Sequence, residues 1–505
     1  MKNRTHQTIL CLLLALSILA ATACSSKNTG QDSDATTQAP QETTTQTETT
    51  EGKKEAESED SANNNAKAHF EGQTFAQAHD AFQTKLAVEN NDDDPIPDPP
   101  EGLFDLVSYT STAGDLAAYV SSDPGDGAKH PMIIWVVGGW GNGIDDFPWT
   151  YPEWDNDQTG SAFWQAGVLT MYPSFRGGNG NPGNYETLFG EVDDIAAAYD
   201  YAASLPYVDP NRIYLGGHST GGTRALLAAE YTDKFRSVFC FGAVDEIKYH
   251  NRTQFTFDTS DDDEYTMRSP IYWLEDVKTP TFLIEGSDGN ADNLRRMEEA
   301  TENDNIHCYI MEGADHFSTL APLTRLLAQK ILEDAGEEPS ITLTQEELDT
   351  AMAQEPSVPQ PVLTQMSVEE LGLTLSRPYI WEVTDESEDG STALTLISPY
   401  DGDNVWDMSS LYITSYPEED GYLQGLAEYL EGEGYTVQDT TVSGLPAIDA
   451  TGTAENSNGS VFNNRYVLVK NGETYVDFDF YIHEDYGNDA DALFQSIIDS
   501  ISFAR

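Results

Sequence analysis

LGGHSTGGTRALL, Leu215 to Leu227, sets one serine among four glycines where an apolar run with the period of a strand gives way to one with the period of a helix. Gly217, Ser219 and Gly221 form G-x-S-x-G directly after the strand-like Arg212 to Leu215, and the TRALLAAE that follows is rich in strong helix formers. The segment therefore reads strand, sharp turn, helix. Such a turn strains the serine, and glycines two residues to either side let strand and helix pack closely, so the hydroxyl stands above the sheet at the helix N-terminus. The pentapeptide alone also fits a plain glycine turn. In this setting Ser219 is a candidate nucleophile.

The surroundings of that stretch repeat its pattern. MIIWVV (Met132 to Val137), GVLTMYP, RIYLGG, FCFGAV, TFLIEG and HCYIME are continuous apolar runs separated by loops and by helical stretches such as GEVDDIAAAYDYAASL. They predict an α/β fold with a mostly parallel sheet covered on both faces. Sites on such sheets lie at the carboxyl ends of the strands, where the glycine-rich loops fall.

A serine hydroxyl needs a base, the base needs an oriented imidazole, and on this kind of fold the chain order is serine, acid, histidine. His316 follows a strand, in GADHFSTLAP, and is the expected base; His307 begins that strand and belongs to the opposite edge, and His218 is expected to pack. The acid is expected on the loop SDGNADN after TFLIEG: Asp288, with Asp292 in reserve and Asp245 a distant third. The oxyanion donors are expected from the backbone of Thr220 and from the loop VVGGWGNG, through Gly139 and Trp140, with Gly138 beside them. A dinucleotide site is excluded, because neither glycine-rich segment shows G-x-G-x-x-G with a ribose-binding acid after the next strand. No cofactor and no metal are expected.

With 87 acidic against 25 basic side chains, a formal charge of −62, the surface repels phosphate backbones, so nucleic acid is excluded as a partner. Lys2 and Arg4 precede the apolar Ile9 to Ala21, too short for a mature membrane span, which reads as a signal peptide over residues 1–23. AATAC before Ser25 resembles a bacterial lipobox, with Ala21 where leucine is usual. Cys24 is then the lipidation site, and the alternative is an ordinary secretory cleavage. Residues 24–66 hold almost no large apolar side chain and read as a disordered tether. The expected location is the extracellular face of the cell membrane, held by lipid. Of the remaining cysteines, Cys240 and Cys308 sit in strands with TFLIEG between them. That separation is roughly 10 Å against the roughly 7 Å a disulfide tolerates, so two buried free thiols are expected.

The catalytic body is expected over residues 67–336, beginning with the helical FAQAHDAFQTKL, and Ile247 to Arg268 reads as a small insertion able to roof the site. A polar, proline-bearing linker is expected over 337–365. Residues 366–505 read as a smaller α+β domain. In it YVLVKNGETYVDFDFYIH suggests a hairpin turning at Asn471-Gly472 in type I′ geometry, while GYLQGLAEYLEGEGY and DALFQSIIDSISF suggest helices on the sheet. By pattern this domain resembles the PsbP-like or DcrB-like domains of bacterial lipoproteins, and it is read as a binding or spacing module.

PSFRGGNGNPG, GEVDDIAAAYDYAASLPYVDPNRIYLGGHSTGG, RSPIYWL and GADHFSTLAP, in that order, resemble the catalytic domain of the prolyl oligopeptidase branch of α/β-hydrolases, which includes dienelactone hydrolase and acetyl esterase relatives. The resemblance runs from about Leu103 to Leu332. It implies an α/β-hydrolase sandwich and a serine hydrolase working through a Ser-His-Asp triad and an acyl-enzyme, with family positions on Ser219 and His316. Two departures stand against the peptidase half of the name. A tether and a short helix precede the body where oligopeptidases have a propeller, and Val137 and Gly138 occupy the loop position of a tyrosine oxyanion donor. The expected substrate is a small carboxylic ester or acylated saccharide, with serine-type oligopeptidase as the alternative. A surface-binding lipoprotein with an inactive hydrolase domain is the remaining reading.

Overall fold

A computed structural model describes residues 67–149, 156–250, 252–354, 362–379, 381–387, 391–397, 409–417, 422–455, 461–483 and 489–504. The expected signal peptide, Cys24 and the tether lie outside the described residues. The first helix, α1 (Phe75–Ala81), starts from a capping box of Thr74 and Gln77, and its first amide donates to Asp276 Oδ2 at 2.8 Å. Phe70, Phe75 and Ala78 place this segment in the core beside Trp273.

The strands β1 (Phe104–Ser111), β2 (Gly114–Ser121), β3 (His130–Val136), β4 (Leu169–Pro173), β5 (Val208–His218), β6 (Val238–Phe241), β7 (Thr281–Gly286) and β8 (Ile306–Met311) form one sheet in the order β1-β2-β4-β3-β5-β6-β7-β8. Pairing is antiparallel from β1 through β2 to β4 and parallel from β4 through β3 onward to β8. In β3 the alternation divides the side chains between two cores. Met132, Ile134 and Val136 face α1, α3 (Glu191–Ser204), α4 (Thr220–Tyr231) and α6 (Ala291–Ala300), whereas Ile133 and Trp135 face α2 (Ser161–Gln165), α7 (Leu320–Glu333) and α8 (Gln345–Met352). Apolar cover on both faces is why these strands read as unbroken hydrophobic runs. The result is the α/β-hydrolase-like fold with a mostly parallel sheet that the sequence predicts.

Cys240, Leu283 and Cys308 lie in register on β6, β7 and β8, so one strand separates the cysteines. Both are free: Cys240 is buried and Cys308 half-buried, and burial pushes the Cys308 thiol up to about 12. The insertion forms two short turns and α5 (Asp262–Thr266). Its Phe255, Phe257 and Tyr265 are buried against one another, and Arg268, paired with Glu264 at 2.5 Å, lies 4.3 Å from the Phe257 ring centre.

The connector differs from expectation. Ile341, Leu343, Leu348 and Ala351 are buried in the second core, and α8 starts from a capping box of Thr344 and Glu347, with Lys330 of α7 at 2.6 Å from Glu347. Arg236 pairs with Asp334 and also donates to the carbonyls of Gly336, Glu337 and Glu338. The first part of the expected linker is thus packed as part of the body built on the eight-stranded sheet. Four apolar residues scattered through a polar stretch are too few to show a helical period, yet they suffice to dock one short helix.

Beyond it, β9 (Leu363–Val368), β10 (Leu373–Pro378) and the terminal β18 (Ser502–Phe503) form a small sheet. The strands β11 (Glu382–Asp385), β12 (Ala393–Ile397), β13 (Ser410–Pro417), β14 (Thr436–Val442), β15 (Leu445–Glu455), β16 (Val461–Asn471) and β17 (Thr474–His483) form an antiparallel sheet in the order β11-β12-β13-β17-β16-β15-β14. Helix α10 (Asp489–Ser500) lays Leu493, Phe494 and Ile497 on one face of it, and α9 (Tyr422–Gly432) lays Leu426 and Leu430 on the other. The hairpin is present, but Asn471 pairs with Thr474, so its turn residues are Gly472 and Glu473. Only Gly472 of these has a positive φ, 65°, whereas a type I′ turn requires it at both positions.

Candidate active site

Strand β5 ends at His218 and α4 begins at Thr220; Ser219 between them has φ 58° and ψ −120°, a backbone that L-residues rarely adopt. The neighbouring glycines permit it. A Cβ on Gly217 would lie 2.6 Å from the Gly221 carbonyl carbon, and one on Gly221 only 2.1 Å from the carbonyl oxygen of Val136. The Ser219 amide donates to the Phe241 carbonyl at 2.8 Å, which fixes the elbow to the next strand.

The loop after β3 presses against this elbow. A Cβ on Gly138 would lie 3.2 Å from that of Ser219, and Gly139, at φ 96°, accepts a hydrogen bond from Thr220 Oγ1 at 2.5 Å. Thr220, Gly139 and Trp140, the expected oxyanion donors, are therefore gathered at one place. Trp140 leans toward Phe255 of the insertion, ring centres 6.0 Å apart. Arg224, one turn along α4 and buried, donates to Asn142 Oδ1 at 3.0 Å, and Asn142 donates in turn to Glu191 Oε1 at 2.9 Å. This buried chain braces the glycine loop from beneath.

His316 lies in the loop between β8 and α7, and its Nδ1 is 2.8 Å from Glu285 Oε2. Glu285 is buried near the end of β7, and its other oxygen accepts from the Gly286 amide at 2.7 Å. A carboxylate only accepts, so Nδ1 carries the proton and Nε2 keeps its lone pair. Gly242 closes over this pair at φ 63°; a Cβ there would lie 2.3 Å from His316 Cε1. His218, beside the serine, takes the packing role expected of it and more. Its ring centre is 4.6 Å from that of His316, and its Nε2 donates to the His316 carbonyl at 3.0 Å. Burial, and after it the proximity of His316, lowers the His218 pKa to about 3, so the ring is neutral.

The expected acid is corrected. Asp288 is exposed on a turn closed by the Gly289 amide on the Gly286 carbonyl, and Asp292 is paired with Arg295 at 2.6 Å on the outside of α6. Asp245 is buried but engaged with Arg296. The carboxylate against the imidazole comes from the strand itself, where the longer glutamate side chain reaches what an aspartate on the outward-turned loop does not. One signal was available: Glu285 is the only charge in TFLIEG, and a carboxylate inside a buried strand demands a partner. His307 stands at the far end of β8, its ring stacked 5.1 Å from Phe282.

Residues 154–302 match the prolyl oligopeptidase family. This is a serine-hydrolase domain. The match includes Ser219 and Glu285 and stops short of His316, which the fold brings to them. No match to a curated protein was found. Among solved structures, the domain is similar to Porphyromonas gingivalis dipeptidyl peptidase 4 (17% identity, TM-score 0.38, 46% of this chain on 35% of that one). It is also similar to a puromycin-hydrolyzing peptidase from Mycobacterium tuberculosis (19%, TM-score 0.39, 47% on 40%) and to an esterase from Pyrococcus furiosus (16%, TM-score 0.38, 48% on 97%). The aligned part thus spans well under half the length of the two peptidases and nearly all of the esterase.

Proposed function

We propose that the chain is an exported, lipid-anchored serine hydrolase that cleaves a carboxylic ester of a small molecule or saccharide through Ser219, His316 and Glu285. The observation that carries this reading is the His316 imidazole, held by a buried carboxylate and braced against the strained serine elbow. Ser219 Oγ attacks the carbonyl carbon while His316 Nε2 takes its proton. The oxyanion then forms beside the backbone amides of Thr220 and of Gly139 or Trp140. His316 returns the proton to the leaving oxygen, the C–O bond breaks, and an acyl group remains on Ser219. Water, deprotonated by the same imidazole, releases the acid and restores the serine.

Ester is favoured over peptide because the loop after β3 offers Val137 and Gly138 and no hydroxyl to the oxyanion, and expelling an alkoxide needs less help than expelling an amine. Serine-type oligopeptidase activity is the second reading, supported by the family match. Cys24 is proposed as the acylated residue, on the lipobox-like AATAC, and the C-terminal domain as a PsbP- or DcrB-like spacing or binding module. A fluorophosphonate should label the protein once, on Ser219, and Ser219→Ala or His316→Ala should lower turnover of p-nitrophenyl esters by roughly 10³-fold or more. A fully active Ser219→Ala protein ends the hydrolase reading, and label with peptide turnover but no ester turnover moves it to the peptidase.

A further inference from the structure

His316 hands its proton to the departing group, so in the proposed reaction that group leaves past the imidazole. The side chain next in sequence is Phe317, whose ring stands edge-on to His316, centres 5.1 Å apart at 76°, and also touches His218 at 5.4 Å. Phe317 is 40% exposed, unusual for a phenylalanine held this firmly. Its amide and that of Ser318 both donate to Asp315 Oδ1, at 2.9 and 2.8 Å, the Asp315 amide donates to Ser318 Oγ at 3.0 Å, and the Phe317 carbonyl caps Leu320 at 2.9 Å. The ring is thus offered to solvent by a loop with little freedom to withdraw it. In strand order the oxyanion loop after β3 and this loop after β8 flank the elbow on opposite sides, and Trp140 on the first is already leaning on Phe255.

We propose that Phe317 is the platform of the leaving-group subsite and that it selects substrates whose leaving alcohol is flat and apolar, of the benzylic or aryl class. The inference rests on the hydrolase reading of Ser219 and His316. An aromatic face beside the imidazole stacks on such a group as it binds and departs, adding affinity that a short alkyl alcohol cannot gain.

The test compares benzyl and ethyl esters of whichever acid gives the fastest p-nitrophenyl ester turnover, because the two alkoxides differ little in basicity. In Phe317→Ala the ratio of kcat/KM for the benzyl ester to that for the ethyl ester should fall about tenfold. Phe317→Leu, which keeps apolar bulk without the flat face, should fall in the same direction, and Phe317→Trp should keep the ratio. A ratio unchanged within about twofold in both the Ala and Leu variants, or an equal loss on both esters, overturns the subsite and makes Phe317 a support of His316 only. Ser219→Ala is run alongside: if it is inactive while the ratio does not move, the subsite alone fails, and if it is active, the catalytic reading fails first.

Discussion

Three buried acids of the hydrolase body meet permanent cations: Asp194 takes Arg176 at 2.8 Å, Asp334 takes Arg236 at 2.7 Å, and Glu264 takes Arg268 at 2.5 Å. In the seven-stranded C-terminal sheet Asp449 likewise takes Arg465 at 2.6 Å, but Asp477 has a tyrosine hydroxyl, from Tyr466, and the Thr414 amide, and Asp479 has Asn464 and the Tyr481 hydroxyl. Burial would raise Asp334, but Arg236, Ser340 and Tyr214 outweigh it and hold the group at about 2. Burial wins at Asp477 and Asp479 and pushes them up to about 6 and about 7. Glu285 belongs to neither set. Its partner is an imidazole that gains its charge only when it has taken a proton, so in the proposed mechanism this buried pair serves turnover, whereas the arginine pairs hold a fixed charge.

The largest effect expected from that distinction is on rate. Glu285→Gln keeps the shape of the site but lets the amide favour the wrong tautomer of His316, and kcat on a p-nitrophenyl ester should fall roughly 10³- to 10⁴-fold with little change in melting temperature. Asp288→Asn and Asp292→Asn, both on exposed carboxylates, should leave kcat unchanged. Loss of activity in Asp288→Asn, with Glu285→Gln near wild type, would return the acid to the loop.

How legible the site was follows from the kind of signal each part leaves. The elbow was readable because strain, glycines, strand and helix are all local to thirteen residues. The cysteine separation was readable because one intervening strand fixes it. Glu285 was only half readable: its lone charge in TFLIEG calls for a buried partner but does not say which, and side-chain reach decides that only once β7 and the His316 loop are brought together. The docking of Ile341 to Ala351 was hidden for a related reason, since a helix of eight residues buries too few apolar side chains to write a period. The hairpin was legible, but its register slipped by one residue, because Asn471 suits both a turn and a strand end.

The next effect is on stability. Asp334→Asn leaves the Arg236 guanidinium with amide and carbonyl partners but no counter-charge in a buried site, and should cost about 3 kcal/mol in unfolding free energy. Because Arg236 stands just before β6, at the end of the sheet opposite Ser219, kcat of the folded fraction should not move. A melting temperature equal to wild type would show that the carbonyls of Gly336, Glu337 and Glu338 hold Arg236 without the acid.

The smallest effect is on pH dependence, and there the buried histidines of one region and the buried aspartates of the other push in opposite directions. His218, lowered to about 3, and His79, lowered by burial, resist protonation in the folded hydrolase, while in the unfolded chain they titrate near about 6.5. Below that pH the unfolded chain binds more protons at these two positions, so the two histidines take stability from the hydrolase as pH falls from 7 toward 5, while the buried Glu230 carboxyl, raised by burial, works the other way. Asp477 and Asp479 have folded pKa values above the roughly 4 of an unfolded aspartate, so between about pH 4 and 7 it is the folded state that binds more protons. Their contribution is greatest at the acid end of that window and is lost as pH rises through it. Lowering the pH from 8 to 5 should therefore stabilise the C-terminal domain relative to the hydrolase, raising its calorimetric transition relative to that of the hydrolase. Asp479→Asn should flatten the C-terminal response and leave the hydrolase response untouched. If both transitions shift together in the variant as in wild type, the pH dependence belongs to the net charge of the whole chain and not to these buried groups.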